Sequence, residues 1–81
     1  MIFTLILFTN GMIGAFDING EQIACFQGKA RDVLDERSGL RAVLKNSLHK
    51  QASIYFANWN SREKLMIQRE QFDLFCDGWL S

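Results

Sequence analysis

The chain opens with two Asn-Gly dipeptides, Asn10-Gly11 and Asn19-Gly20, each between runs rich in β-branched and aromatic residues. Asn and Gly tolerate the positive φ of the two-residue turns that join antiparallel strands. The pattern predicts a three-stranded antiparallel meander over Ile2–Thr9, Met12–Ile18 and Glu21–Gln27. Two-residue loops would place Thr9 opposite Met12 and Ile18 opposite Glu21. One face then carries Phe3, Leu5, Leu7, Phe16, Ile18, Ile23 and Cys25 and is expected to be core. The other carries Thr4, Ile6, Phe8, Ile13, Ala15, Asp17, Gln22, Ala24 and Phe26. Its Ile6, Phe8, Ile13, Phe26 cluster needs cover from a helix, a second copy or a target.

From Lys29 the hydrophobic period changes from two to about 3.6. Ala30, Val33, Leu34, Leu40, Val43, Leu44, Ser47 and Leu48 share one broad helical stripe, with Ser38-Gly39 marking a break, a kink or a second start. One kinked helix or two short ones satisfy the pattern equally over residues 30–49. On the opposite side Arg37, Arg41, Lys45 and His49 recur every four residues, which on a continuous helix makes a basic ridge about three turns long. Ala52–Ala57 reads as a further strand, with Ile54 and Phe56 on one side and Ser53, Tyr55 and Ala57 on the other.

Asn58–Ser61 forms a turn, and Asn60 with Glu63 three residues on fits a capping box. A last helix is therefore expected over Ser61–Cys76. Leu65 and Ile67, and later Phe72, Leu74 and Cys76, also alternate, so a hairpin broken near Arg69-Glu70 competes with it. Helix formers dominate and no turn dipeptide separates the two halves, which favours the helix. The expected fold is thus α+β, in the order βββ-α-β-α, a two-layer sheet and helix sandwich.

Composition limits what this fold can host. With 81 residues the chain makes a single small domain over 1–81, too short for a multi-domain enzyme. The 48% hydrophobic content excludes intrinsic disorder. Nine basic residues balance nine acidic ones, but unevenly: residues 29–50 hold six basic and three acidic side chains, while residues 1–28 hold only Asp17 and Glu21. The apolar opening lacks a basic leader and a cleavage pattern, and Asn10-Gly11 interrupts it before the 18 or so residues a membrane span needs. A cytoplasmic protein with no membrane contact is the expectation.

Chemistry is sparse. Cys25 and Cys76 belong to no metal-binding spacing and are expected to be reduced and mostly buried. His49 is the only histidine and neither cysteine sits in a nucleophile signature, so no catalytic residue, metal ligand or cofactor site is assigned. Asp32, Asp35 and Glu36, like Asp73 and Asp77, read as helix-solubilising charges. Two surfaces remain. Tyr55 and Trp59, with Phe8, Ile13 and Phe26 of the under-covered face, are candidate protein contacts, because aromatic side chains give large contact area with a polar handle. Trp79 is expected to fasten the last helix to the sheet. Arg37, Arg41, Lys45, His49 and Lys50 are candidate anion or nucleic-acid contacts, with Arg31 beside them. The leading expectation is a small non-enzymatic protein that binds a protein partner as inhibitor, adaptor or small subunit, a size class that includes phage- and plasmid-encoded accessory proteins. A nucleic-acid-binding regulator is the alternative. A homodimer formed through the sheet face or through edge strands would complete a thin core.

Overall fold

A computed structural model describes residues 1–80. Its five-stranded mixed sheet is built from β1 (Ile2–Phe8), β2 (Met12–Phe16), β3 (Gly28–Lys29), β4 (Leu48–Ala57) and β5 (Lys64–Met66), in the order β3-β2-β1-β4-β5. Helices α1 (Ala30–Val33), α2 (Leu40–Ser47) and α3 (Phe72–Leu80) complete the α+β fold. β1 is apolar on both sides and lies in the middle of the sheet, antiparallel to β2 and parallel to β4.

The first hairpin forms as expected, but its register differs by one residue. Leu7 faces Ile13 and Leu5 faces Ala15, where a two-residue loop would have set Leu7 against Gly14 and Leu5 against Phe16. The cause is the loop. The Gly11 N–H donates to the Phe8 carbonyl at 2.9 Å, and Gly11 has φ +88°, while no non-glycine residue among those described has positive φ. Thr9-Asn10-Gly11 is thus a three-residue loop that asks a left-handed conformation of glycine alone, and the Asn10 side chain accepts from the Met12 N–H at 3.0 Å. The turn at Ile18-Asn19-Gly20 repeats this design: the Gly20 N–H donates to the Asp17 carbonyl, and the Asp17 carboxylate accepts from the Asn19 and Glu21 N–H groups.

A one-residue slip exchanges the faces of a strand. Ile13 and Ala15 therefore enter the core beside Leu5 and Leu7, Phe16 turns to the other face, and Ile18 is exposed. The expected third strand, Glu21–Gln27, does not form. Only Gln22 bridges to Phe16. Residues Ala24–Phe26 then make a 3-10 turn that drops Phe26 into the core, before Gly28-Lys29 returns to pair with β2.

Residues 30–49 resolve into two helices and the start of a strand. Gly39, at φ +75°, ends a 3-10 turn over Glu36–Ser38 that the Asp35 side chain caps, and α2 starts at Leu40. The expected helix over Ser61–Cys76 is a correction in both directions. Leu65 belongs to the edge strand β5, the Ile67 N–H just beyond it donates to the Ile54 carbonyl at 2.8 Å, and α3 begins only at Phe72. The capping box is absent: the Glu63 N–H bonds the Ser61 hydroxyl within a turn.

All three helices contribute to one layer on one side of the sheet. Leu5, Leu7, Ile13, Ala15 and Ile54 meet Ala30, Val33, Leu34, Leu44, Phe72 and Cys76 in a continuous core. Phe56 meets Phe75 and Trp79 edge-on at 5.0 and 5.5 Å, so Trp79 does fasten the last helix to the sheet. Among the described residues no helix is long and apolar enough to cross a membrane.

Candidate protein-binding surface

Strand alternation fixes what lies on the side of the sheet away from the helices. Paired residues share a face, so Thr4, Ile6 and Phe8 of β1 lie with Met12, Gly14 and Phe16 of β2, with Ser53, Tyr55 and Ala57 of β4, and with Lys64 and Met66 of β5. Among them are three aromatic side chains, Phe8, Phe16 and Tyr55, and two methionines, Met12 and Met66, and one charge, on Lys64.

Trp59 stands at one corner of the face. The turn that carries it is built by Asn58, whose carbonyl accepts from the Ser61 N–H and whose side chain accepts from the Asn60 N–H, both at 3.1 Å. The indole meets the Phe8 ring edge-on at 4.8 Å and is still 61% exposed. Gly14 supplies a floor: the ring of Phe16 lies over it, so close that a β-carbon there would come within 3.2 Å of the ring. Phe8, Met12, Phe16 and Trp59, with Gln22 and Gln27 at the rim, line a groove of about 520 Å³ above that floor. Farther across the sheet the Lys64 ammonium sits 4.3 Å from the centre of the Tyr55 ring.

Of the residues expected to contact a protein, Phe8, Tyr55 and Trp59 thus share one surface. Ile13 and Phe26 are core residues. Met12, Phe16 and Met66 belong to the surface and escaped the sequence reading. The three-residue loop would have placed the first two, since Gly at its third position is the recognised signal for that loop.

The basic ridge is not assembled. Arg37 lies in the 3-10 turn and His49 in β4, so only Arg41 and Lys45 share a helix. Arg41 is 7% exposed: its Nε donates to the Leu34 carbonyl at 2.7 Å and its Nη1 to Asp77 at 2.8 Å, with Asp73 at 3.6 Å. Lys45 pairs with Asp73. Burial works against the Arg41 charge, but the bond to Asp77 and the neighbouring negative groups outweigh it, and the guanidinium pKa is raised. The guanidinium thus joins the α1–α2 segment to α3.

His49 stacks on Phe3, with ring centres 4.3 Å apart, where a two-residue step in β1 faces a five-residue step in β4. Its Nδ1 accepts from the Gln51 N–H and its carbonyl from Arg69. Lys50 is exposed nearby and Arg31 lies on α1.

The two thiols are free and unlike each other. Cys25, expected to be mostly buried, is exposed in the Ala24–Phe26 turn, whereas Cys76 is fully buried on α3. Burial pushes the Cys76 thiol up to about 12, Arg41 partly opposing and Asp73 and Asp77 reinforcing the shift. Among the described residues no group of three or more His, Cys, Asp or Glu side chains is gathered closely enough to hold a metal ion. Comparison with protein-family models, with curated proteins and with solved structures finds no match to this chain.

Proposed function

We propose that this protein is a small non-enzymatic binding protein that contacts another protein through the helix-free sheet face and thereby modulates or inhibits it, as an inhibitor, adaptor or small subunit. The observation that carries this reading is the groove lined by Phe8, Met12, Phe16 and Trp59 over a glycine floor, with Tyr55 on the same sheet face. Interface cores are enriched in aromatic residues and methionine and depleted of charge, and this face matches that composition. The engagement of Arg41 and Lys45 by Asp73 and Asp77 also favours a protein partner over nucleic acid, because it removes two cations from the phosphate-contacting surface.

The test is affinity capture from the native cells with tagged wild-type protein, Trp59→Ala, Phe16→Ala and, as a control on the helical side, Val43→Ser. A protein partner recovered in stoichiometric amount should survive nuclease treatment, should be retained by Val43→Ser, and should be lost with either aromatic variant. Truncating a central aromatic contact weakens binding by about 30-fold or more. Capture that disappears with nuclease, or that is indifferent to both aromatic substitutions, overturns the proposal.

A further inference from the structure

The two Asn-Gly turns are alike in sequence and are held very unequally. The first is tied to the rest of the fold on both sides: the Thr9 N–H donates to the Ala57 carbonyl of β4 at 2.9 Å, and the Gly11 carbonyl accepts from the Ala30 N–H of α1 at 2.8 Å. The Asn10 side chain is itself engaged by the Met12 N–H. The second turn, Ile18-Asn19-Gly20, is held only by bonds between Asp17 and Glu21 and their neighbours inside the hairpin. All three of its residues are exposed, Ile18 to 70%, and the side-chain amide of Asn19 bonds to nothing among the described residues.

Asparagine followed by glycine carries latent chemistry. The glycine backbone nitrogen attacks the side-chain carbonyl carbon of the asparagine before it, an intramolecular step that the absence of a β-carbon leaves unhindered. The new N–Cγ bond closes a cyclic imide as the bond from Cγ to the side-chain nitrogen breaks, and that nitrogen leaves as ammonia with the proton of the glycine N–H. Water then opens the imide. Attack at Cγ gives aspartate, and attack at the backbone carbonyl gives isoaspartate, whose main chain is longer by a methylene. Water is the only co-reactant. We propose that Asn19-Gly20 is a self-modification site of the folded protein, converting to aspartate and isoaspartate while Asn10-Gly11 is protected.

The selectivity follows from what has to open. In both turns the glycine N–H is held, on the Phe8 carbonyl at 2.9 Å and on the Asp17 carbonyl at 3.0 Å, so attack waits on a local opening. At Asn19 that opening frays the exposed tip of a hairpin, behind which stands the isolated bridge between Phe16 and Gln22. At Asn10 it must also break the bonds to Met12, Ala57 and Ala30. One net hydrogen bond changes the population of an open state by roughly two- to ten-fold, and three such factors multiply. Conversion adds a third negative charge to residues 1–28, beside Asp17 and Glu21, and the longer main chain of isoaspartate no longer returns the Gly20 N–H to Asp17. Phe16 and Gln22 line the groove of the helix-free face. An effect on a partner rests on the binding role proposed above; the conversion itself does not.

The test is peptide mapping by fragment-ion mass spectrometry after the folded protein has been held at physiological temperature and mildly alkaline pH, with the same protein in urea as reference. In urea both asparagines, each after a β-branched residue and before glycine, should convert at similar rates. In the folded protein Asn19 should convert about ten-fold or more faster than Asn10. Asn19→Gln should remove most of the more acidic species resolved by ion exchange and leave conversion at Asn10 unchanged. Equal rates in the folded protein, faster conversion of Asn10, an Asn19 that stays intact while the urea sample converts, or a difference in urea as large as in the folded state overturns the proposal.

Discussion

Arg41 separates two physical accounts of the same residue pattern. On an exposed basic ridge its loss would leave stability almost unchanged. In the observed fold Arg41→Ala removes the donor to the Leu34 carbonyl, and Leu34 is fully buried. An unsatisfied buried carbonyl costs about 1–3 kcal/mol. The bond to Asp77 contributes less, about 0.5–1 kcal/mol, because that carboxylate is more than half exposed and returns to water when its partner is removed. Loss of the buried alkyl stem adds about 1 kcal/mol.

The expected destabilisation is about 3 kcal/mol, against a total of about 4–12 kcal/mol for a chain of this length. The midpoint of thermal unfolding should fall by about 12–24 °C. Urea unfolding followed by tryptophan fluorescence measures the free energy, and circular dichroism measures the thermal midpoint. Arg41→Lys should recover little, because an ammonium cannot donate both from the Nε position and from the end of a fork. A cycle with Asp77→Asn separates the two bonds, and near-molar salt should weaken the Asp77 contribution while leaving the Leu34 contribution in place. A loss below about 0.5 kcal/mol for Arg41→Ala, or one abolished by salt, refutes the account, since both are signatures of a surface charge.

Other outcomes follow from particular groups. With a thiol reagent at neutral pH, Cys25 should react in the folded protein and Cys76 only on unfolding; equal rates would contradict the difference in burial. The raised Cys76 pKa also fixes an alkaline trend. The folded state holds the proton more tightly than the unfolded state, whose thiol titrates near 8.5, so the contribution of this group is level below that pH and unfavourable from about 8.5 to about 12. Stability measured against pH should therefore fall less steeply over that interval in Cys76→Ala than in the wild type, and identical slopes would refute the assignment. Gly11→Ala, at φ +88°, should lower unfolding free energy by about 1 kcal/mol, whereas Asn10→Ala should lose only the side-chain bond to Met12; the reverse order would restore the two-residue loop.

That last comparison touches the point where sequence and structure part company. Asn10-Gly11 announced a hairpin correctly, and alternation located β1, β2 and the core side of β4 from Ile54 and Phe56. The dipeptide did not specify loop length. One residue of slip moved Ile13 into the core and Phe16 out of it, and the Ala24–Phe26 turn moved Phe26 inward. Arg41 shows a second limit. A basic residue every four positions looks the same whether it meets water or a distant acid, and the acid that decides lies 36 residues away. At residues 64–76 a short strand and a helix are joined through a 3-10 turn at Arg69–Gln71 that carries no turn dipeptide, so a rule that asks for one merged them.

The helix-free face has a further property that bears on its role. Side chains there are not among the buried core, which is drawn from β1, β2, β4, the helices and the segments that carry Phe26, Leu34 and Ile67. Threonine, serine or lysine at Phe8, Met12, Phe16 and Met66 would keep the strand preference or the solubility that an exposed sheet surface ordinarily shows. Contiguous apolar surface is a liability in a small protein unless something covers it for part of its working life. These are the residues that the proposed binding partner would cover. The side chain that best separates a role in the fold from a role in binding is Trp59, because it rests on a single ring and leaves most of its surface to solvent. Its contact with Phe8 is worth about 0.5–1.5 kcal/mol to the fold, while an aromatic anchor at the centre of an interface contributes 2 kcal/mol or more, roughly.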